Sequence, residues 1–222
     1  MKPLLVLAAF PMVLMGWASC SHSGTGHAAL PDPRAVDKSV PEYKNPFHPS
    51  TYAHFVARKD YRKTYDVYKD DTLLNRQPKK SRKIFVCLDE QRGQYLVDGL
   101  VAMDFPLSSG VKAYPTKTGD YAVISKKEDH TSNLYGKMYD AEGKCINYNA
   151  ESTDPIPEGG RFDGSPMPYW QRLTNAGLGL HVGKVRRHPV SHGCVRLPRN
   201  VAEILYRQTS IGTPVTIQKT PL

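Results

Sequence analysis

Ile84-Phe-Val-Cys-Leu88, then Gln94-Tyr-Leu-Val97, Asp98-Gly99 and Leu100-Val-Ala-Met-Asp-Phe105 follow one another across 22 positions. The first piece is an unbroken apolar run of strand length, the pattern of a strand buried on both faces. The other two are apolar runs joined by Asp-Gly, which supplies the two left-handed residues of a two-residue hairpin turn. The strand period continues in Tyr121 to Ser125, after a turn at Pro115 to Gly119, and in Pro214-Val-Thr-Ile217 near the end. One helix is expected over Val201 to Gln208, with Asn200 as its cap three residues before Glu203 and Gly212 as its stop. Residues 126–168 are polar, turn-rich and too long for a simple connection, so they read as a lid or a binding insertion. The chain is predicted to be mainly β: packed mixed sheets with an inserted lid segment and a short C-terminal helix.

Toward the N-terminus the character changes. Tyr61, Tyr65 and Tyr68 recur at i, i+4 and i+7, the spacing of one helical face, and Tyr52 and Phe55 extend that apolar strip. The segment Arg58 to Lys83 carries ten basic residues against four aspartates, a local charge of +6 within a chain of net charge +9. Residues 21–80 thus divide into a Ser-, Gly-, Pro- and His-rich tether and a basic, tyrosine-rich docking segment. Residues 1–20 hold one lysine, an apolar run broken by Pro11 and small residues before Cys20, as in a secretory signal peptide. Ala18-Ser19-Cys20 resembles a bacterial lipobox, with Cys20 as the lipidated residue; cleavage after Ala18 is the alternative. No later stretch approaches the ~18 apolar residues a membrane-spanning helix needs. Export makes nucleic acid an improbable partner, so the basic segment is expected to meet an anionic envelope polymer or lipid headgroups, or simply solvent.

With 222 residues, 40% hydrophobic, the chain is long enough to bury a sizeable core, and 13 Tyr, 6 Phe and 2 Trp exclude general disorder. Four cysteines are too few for a disulfide-built scaffold. Cys87 lies in an apolar strand and reads as a buried thiol, with a Cys87–Cys145 disulfide left open.

The chemistry gathers in His181-Val-Gly-Lys-Val-Arg-Arg-His188-Pro-Val-Ser191-His192-Gly193-Cys194-Val-Arg196-Leu-Pro198. A thiol attacks as thiolate, which a nearby imidazole can generate. Gly193 permits close approach, and consecutive amides there can bind an oxyanion. Arg196, two residues on, shares the side of Cys194 in an extended chain and can stabilise a thiolate or hold a carboxylate. From the residues alone, a structural cysteine and a cysteine acyl-transfer site stand about even. A metal site is the weakest reading, because the spacing of these histidines and Cys194 matches no closed zinc pattern.

Ser191-His192-Gly193-Cys194-Val195-Arg196-Leu197, preceded by Leu180-His181, resembles the signature of the L,D-transpeptidase (YkuD-type) family. The likeness runs over about 81–218, within a catalytic domain expected over 81–219. It takes in the opening hairpin, Phe105 to Gly110 with Pro115 to Gly119, Met167-Pro-Tyr169-Trp170, and Gly212-Thr-Pro-Val215. The resemblance implies a YkuD-like β-sandwich and an exported enzyme, in the periplasm or cell envelope, acting on peptidoglycan stem peptides without metal, nucleotide or organic cofactor. It implies Cys194 as nucleophile, His181 as general base, and His192 and Gly193 around the oxyanion. Arg196 and Ser191 are implied at the substrate, with Tyr169 and Trp170 walling the donor groove. Two features depart from the family pattern: Val182 stands between His181 and Gly183, and the stretch from His181 to Cys194 is short. His192 and then His188 are the fallback bases. The implied reaction is a Cys194 thioester formed with loss of D-Ala and passed to an amine. The alternatives are water as acceptor (an L,D-carboxypeptidase) and a non-catalytic peptidoglycan-binding envelope protein.

Overall fold

The structure, a computed structural model, describes residues 31–77 and 81–222. The signal segment, Cys20, Lys79 and Lys80 lie outside the described residues. In chain order the elements are α1 (Tyr52–Ala57), β1 (Tyr68–Lys69), α2 (Asp71–Asn75), β2 (Arg82–Cys87), β3 (Arg92–Val97), β4 (Leu100–Pro106), β5 (Gly119–Ala122) and β6 (Ser125–Lys127). They continue with β7 (Thr131–Tyr139), β8 (Cys145–Glu151), β9 (Arg161–Pro166), β10 (Trp170–Arg172), β11 (Gly179–Val182), β12 (Val195–Leu197), α3 (Arg199–Gln208) and β13 (Pro214–Gln218).

These strands form a six-stranded sheet β1-β4-β3-β2-β13-β5, a four-stranded sheet β12-β11-β10-β6 and a three-stranded sheet β8-β7-β9. The first two are mixed, since β13 runs parallel to β2 and β11 parallel to β12. The expected hairpin is β3–β4, and its Asp98 and Gly99 both take positive φ, 51° and 79°. One core fills the space between the first two sheets and α3. Ile84, Val86, Tyr95, Met103 and Phe105 meet Leu180, Val195, Leu197, Val201 and Leu205, all essentially inaccessible to solvent. The fold is therefore mainly β, as the strand patterns require.

The insertion is a sheet of its own. Residues 131–166 supply β7, β8 and β9, joined by Asp140-Ala-Glu-Gly143 and a longer turn. Gly136 and Gly164 are in its middle, where a side chain at either would meet the facing strand's carbonyl at 2.2 and 1.9 Å.

The tyrosine-rich segment is not a continuous helix. Thr51 caps the short α1 through a bond from His54 N, and a single turn closes at Asp60, whose carbonyl accepts from Lys63 and Thr64 at 2.7 Å. Tyr68 is drawn into an antiparallel bridge with Asp104. Tyr61 is buried and Tyr65 is 58% exposed, so the three rings share no face. What organises the segment is the polar outer face of β3 and β4. Asp104 accepts from Arg92 Nε at 2.5 Å and from the hydroxyls of Tyr52 and Tyr61 at 2.8 Å each. Residues 34–47 pack there too: Arg34 pairs with Glu90 (3.1 Å), Lys38 donates to Val56 O and Tyr43 to Ala57 O. Much of the local positive charge is consumed internally, with Arg58 on Asp60 and Asp66, Lys69 on Asp71 and Arg76 on Asp98.

Helix α3 begins two residues earlier than expected, at Arg199. Pro198, at φ −57°, is the cap residue and makes no side-chain cap bond, so Asn200 sits inside the first turn. Cys87 and Cys145 are both free thiols, which closes the disulfide question in this structure.

Candidate active site

The parallel pair β11–β12 sets His181 beside Arg196 in register. Cys194 ends the tight turn that leads into β12. That turn is held from inside: Ser191 Oγ donates to Cys194 O at 2.5 Å and accepts from Gly193 N at 3.2 Å. Ser191 is 2% exposed at the edge of the cavity, and its hydroxyl is engaged within the turn. The Gly193 amide is likewise occupied by Ser191 and is not an oxyanion donor. Gly193 contributes conformation instead, at φ 109°, with its carbonyl accepting from Thr116 Oγ1 at 2.6 Å. Residues 107–111 lie alongside, bridged Ser108 to Arg196 and Gly110 to Ser191. A side chain at Gly110 would stand 2.1 Å from Tyr114 O and 2.8 Å from Gly193 Cα, so the two strands of chain touch backbone to backbone.

Cys194 and His181 line one cavity of about 720 Å³, together with His192, Gly193, Arg196 and Trp170. The thiol donates to Gly177 O at 3.3 Å, and burial pushes its pKa up, opposed by the Gly179 amide and the Arg196 charge. His181 is buried, and burial, aided by Arg196 and His130, brings its pKa down to about 4. Its Nδ1 lies 2.7 Å from Val182 O, which can only accept, so the proton of the neutral ring is on Nδ1. Nε2 is then the basic nitrogen. The departure at Val182 is harmless here, because only the backbone carbonyl of that residue is used. The resting pair is neutral thiol and neutral imidazole.

Of the fallback bases, His188 is exposed and outside the cavity. His192 lines the cavity but is held by rings: it stacks on Tyr135 at 4.3 Å and 18°, and tilts against Tyr114 at 4.8 Å. Trp170 has tilted ring contacts with both His130 (5.1 Å) and His181 (5.9 Å). Tyr169, expected beside it as groove wall, turns the other way, onto Tyr206 at 5.6 Å and near the Arg199 guanidinium. Tyr169 takes a left-handed φ of 55° just before β10, and its ring departs from that of Trp170. The sequence reading missed His130, Tyr114, Tyr135, Arg172 and the Gly177 carbonyl. None belongs to a motif, and the insertion's tyrosines carry no periodic signal. Among the described residues, no group of three His, Cys, Asp or Glu side chains is placed to hold a metal ion.

A half-buried thiol and a neutral imidazole in one cavity, on a frame of packed mixed sheets, is equipment for acyl transfer through a cysteine thioester. The L,D-transpeptidase catalytic-domain model (YkuD) matches residues 81–217, and the chain belongs to that family. A probable L,D-transpeptidase 3 of Mycobacterium tuberculosis is 31% identical over 121 residues, which are 51% of this chain and 38% of that protein. The chain thus spans well under half of that relative's length. Among solved structures, an L,D-transpeptidase from Mycobacterium smegmatis aligns with TM-score 0.48 and 22% identity, over 62% of this chain and 58% of that one. One from Stackebrandtia nassauensis aligns with TM-score 0.47 and 22% identity, over 76% and 67%.

Proposed function

We infer that this protein is an exported cysteine acyltransferase acting on peptidoglycan stem peptides. The observation that carries the reading is the Cys194 thiol, on the Ser191–Cys194 turn, sharing its cavity with a His181 whose Nε2 is the unprotonated nitrogen. Cys194 attacks the carbonyl of the third stem residue. The carbon–sulfur bond forms as the amide bond to the terminal D-Ala breaks, and His181 carries the thiol proton to the departing amine. With the Gly193 amide engaged by Ser191, the developing oxyanion falls to the Cys194 amide; such a donor is typically worth ~3 kcal/mol. Arg196, half-buried beside the thiol, takes the carboxylate of the departing D-Ala. An amine of a second stem then resolves the thioester into a cross-link.

The test is intact-mass spectrometry of the full chain with purified tetrapeptide-stem muropeptides. The expected result is protein plus stem minus D-Ala, absent from Cys194→Ala, with cross-linked product when an amine acceptor is present. No adduct and no product overturns the acyl-transfer reading in favour of a peptidoglycan-binding protein. Release of free tripeptide without cross-links assigns water as the acceptor. Export and lipidation at Cys20 belong to the same reading. They predict that radiolabelled palmitate enters the wild-type chain in bacterial cells and not Cys20→Ala.

A further inference from the structure

The cavity holding Cys194 is lined by cations of three separate elements: Lys117 of the loop after β4, Arg172 of β10 and Arg196 of β12. No aspartate or glutamate lines it. Glu151, opposite Tyr135 on the neighbouring strand, acts on the His192 and Tyr135 rings but is not part of the wall. Among the described residues, none of the three cations enters an ion pair. Arg172 and Arg196 are both half-buried; Arg172 donates to Asn175 O at 3.5 Å, and an anionic ligand would bring the counter-charge that each lacks. The imidazoles report the same field: Arg172 and Lys127 depress His130, and Arg196 depresses His181 and His192, each alongside burial. A concave wall of one sign concentrates ligands of the other.

Resting on the acyl-transfer reading, Arg196 takes the one carboxylate next to the scissile bond. Arg172 and Lys117 are then left with no partner on a stem whose other carboxyls are amidated. We propose that the cavity selects stem peptides whose carboxyl groups are free over those whose carboxyl groups are amidated, and that Arg172 is a specificity-determining residue. An amide keeps the size and the hydrogen-bonding oxygen of the carboxylate and removes the charge. The discrimination is therefore electrostatic and is screened by salt.

The experiment gives the full-length chain two synthetic tetrapeptide stems ending in D-Ala, one with free side-chain carboxyls and one with carboxamides. Acylation of Cys194 is followed by intact mass at low and at raised ionic strength. The free-acid peptide is expected to acylate roughly tenfold faster or more, which corresponds to ~1.4 kcal/mol, with the ratio shrinking as salt rises. Arg172→Gln is expected to narrow the ratio and Arg172→Lys to restore most of it, through the concentration dependence more than the limiting rate. Equal rates for the two peptides, or a ratio unmoved by Arg172→Gln, overturn the proposal. If neither peptide acylates, the acyl-transfer reading fails, and calorimetric binding of both peptides to Cys194→Ala decides the selectivity by itself. Tighter binding of the free acid upholds it, and equal binding overturns it.

Discussion

At the residue scale, the two central groups are tuned in opposite directions by the same burial. His181 titrates near 4, so it is a competent base through the neutral range, and the acid limb of turnover is expected near pH 4 rather than near the ordinary 6.5. Holding the ring neutral also has a stability consequence. Between pH 6.5 and about 4 the unfolded chain binds the proton that the folded chain refuses, so stability falls as pH drops through that window. The expected loss is on the order of 3 kcal/mol. Thermal melts of wild type and His181→Asn across that range check it, and the variant's curve should be flatter. The thiol is shifted the other way, with Arg196 the charge that opposes the shift. Iodoacetamide alkylation of Cys194 should therefore inflect above the ordinary thiol range. Arg196→Gln should slow it further at pH 8, by a few-fold.

At the element scale, the stretch between His181 and Cys194 is pinned to parts of the chain far away in sequence. Arg187 takes a positive φ of 56° and donates to Thr64 O at 2.8 Å and Glu90 O at 2.7 Å. Hydrogen bonds from a charged donor contribute ~1.5–3 kcal/mol each. Arg187→Ala is expected to destabilise by about that much and to open residues 183–190 to limited proteolysis, while Arg187→Lys recovers only part of the loss. Gly110 is the counterpart on the other side of the turn. Gly110→Ala drives a methyl into Tyr114 O and the Gly193 backbone, so it should displace Cys194. Its kinetic signature is a fall in limiting acylation rate of about tenfold or more, larger than any change in stem binding.

At the scale of the whole molecule, the segment that precedes the β2–β13 frame covers one face of its largest sheet. The outer face of β3 and β4 carries Arg92, Gln94 and Asp104, at 1%, 4% and 0% exposure, covered by Tyr52, Tyr61 and the Thr64 and Asp66 carbonyls. Pro33–Leu222 is accordingly one compact unit. A chain starting at residue 81 uncovers this ion pair and loses its tyrosine donors. It is expected to unfold with weaker cooperativity and a lower midpoint than one starting at residue 33, as circular dichroism melts would show. Asp104→Ala in the longer chain leaves Arg92 buried without its counter-charge and should cost about 3–5 kcal/mol.

Local chemistry made part of this legible from the sequence by itself. A nucleophilic turn needs its serine, glycine and cysteine contiguous, so Ser191 to Cys194 can be read as a string. A two-residue hairpin needs residues that tolerate positive φ, and Asp98-Gly99 announces one. Apolar period marked β2, β3, β4 and β13. What only the tertiary structure decided is whatever depends on a partner distant in the chain. Tyr61, Tyr65 and Tyr68 have helical spacing, yet Asp104 on β4 claims Tyr61 through its carboxylate and Tyr68 through the backbone ladder, which breaks the pattern. Tyr169 and Trp170 are neighbours in sequence, but a left-handed backbone at Tyr169 sends their rings to different partners. His130, Tyr135 and Gly177 reach Trp170, His192 and the Cys194 thiol through ring stacking and a single carbonyl bond. Such contacts impose no period and no composition on the segments that carry them. The sequence therefore held the Cys194 thiol and the turn that carries it, while packing alone decided which rings, cations and carbonyls surround it.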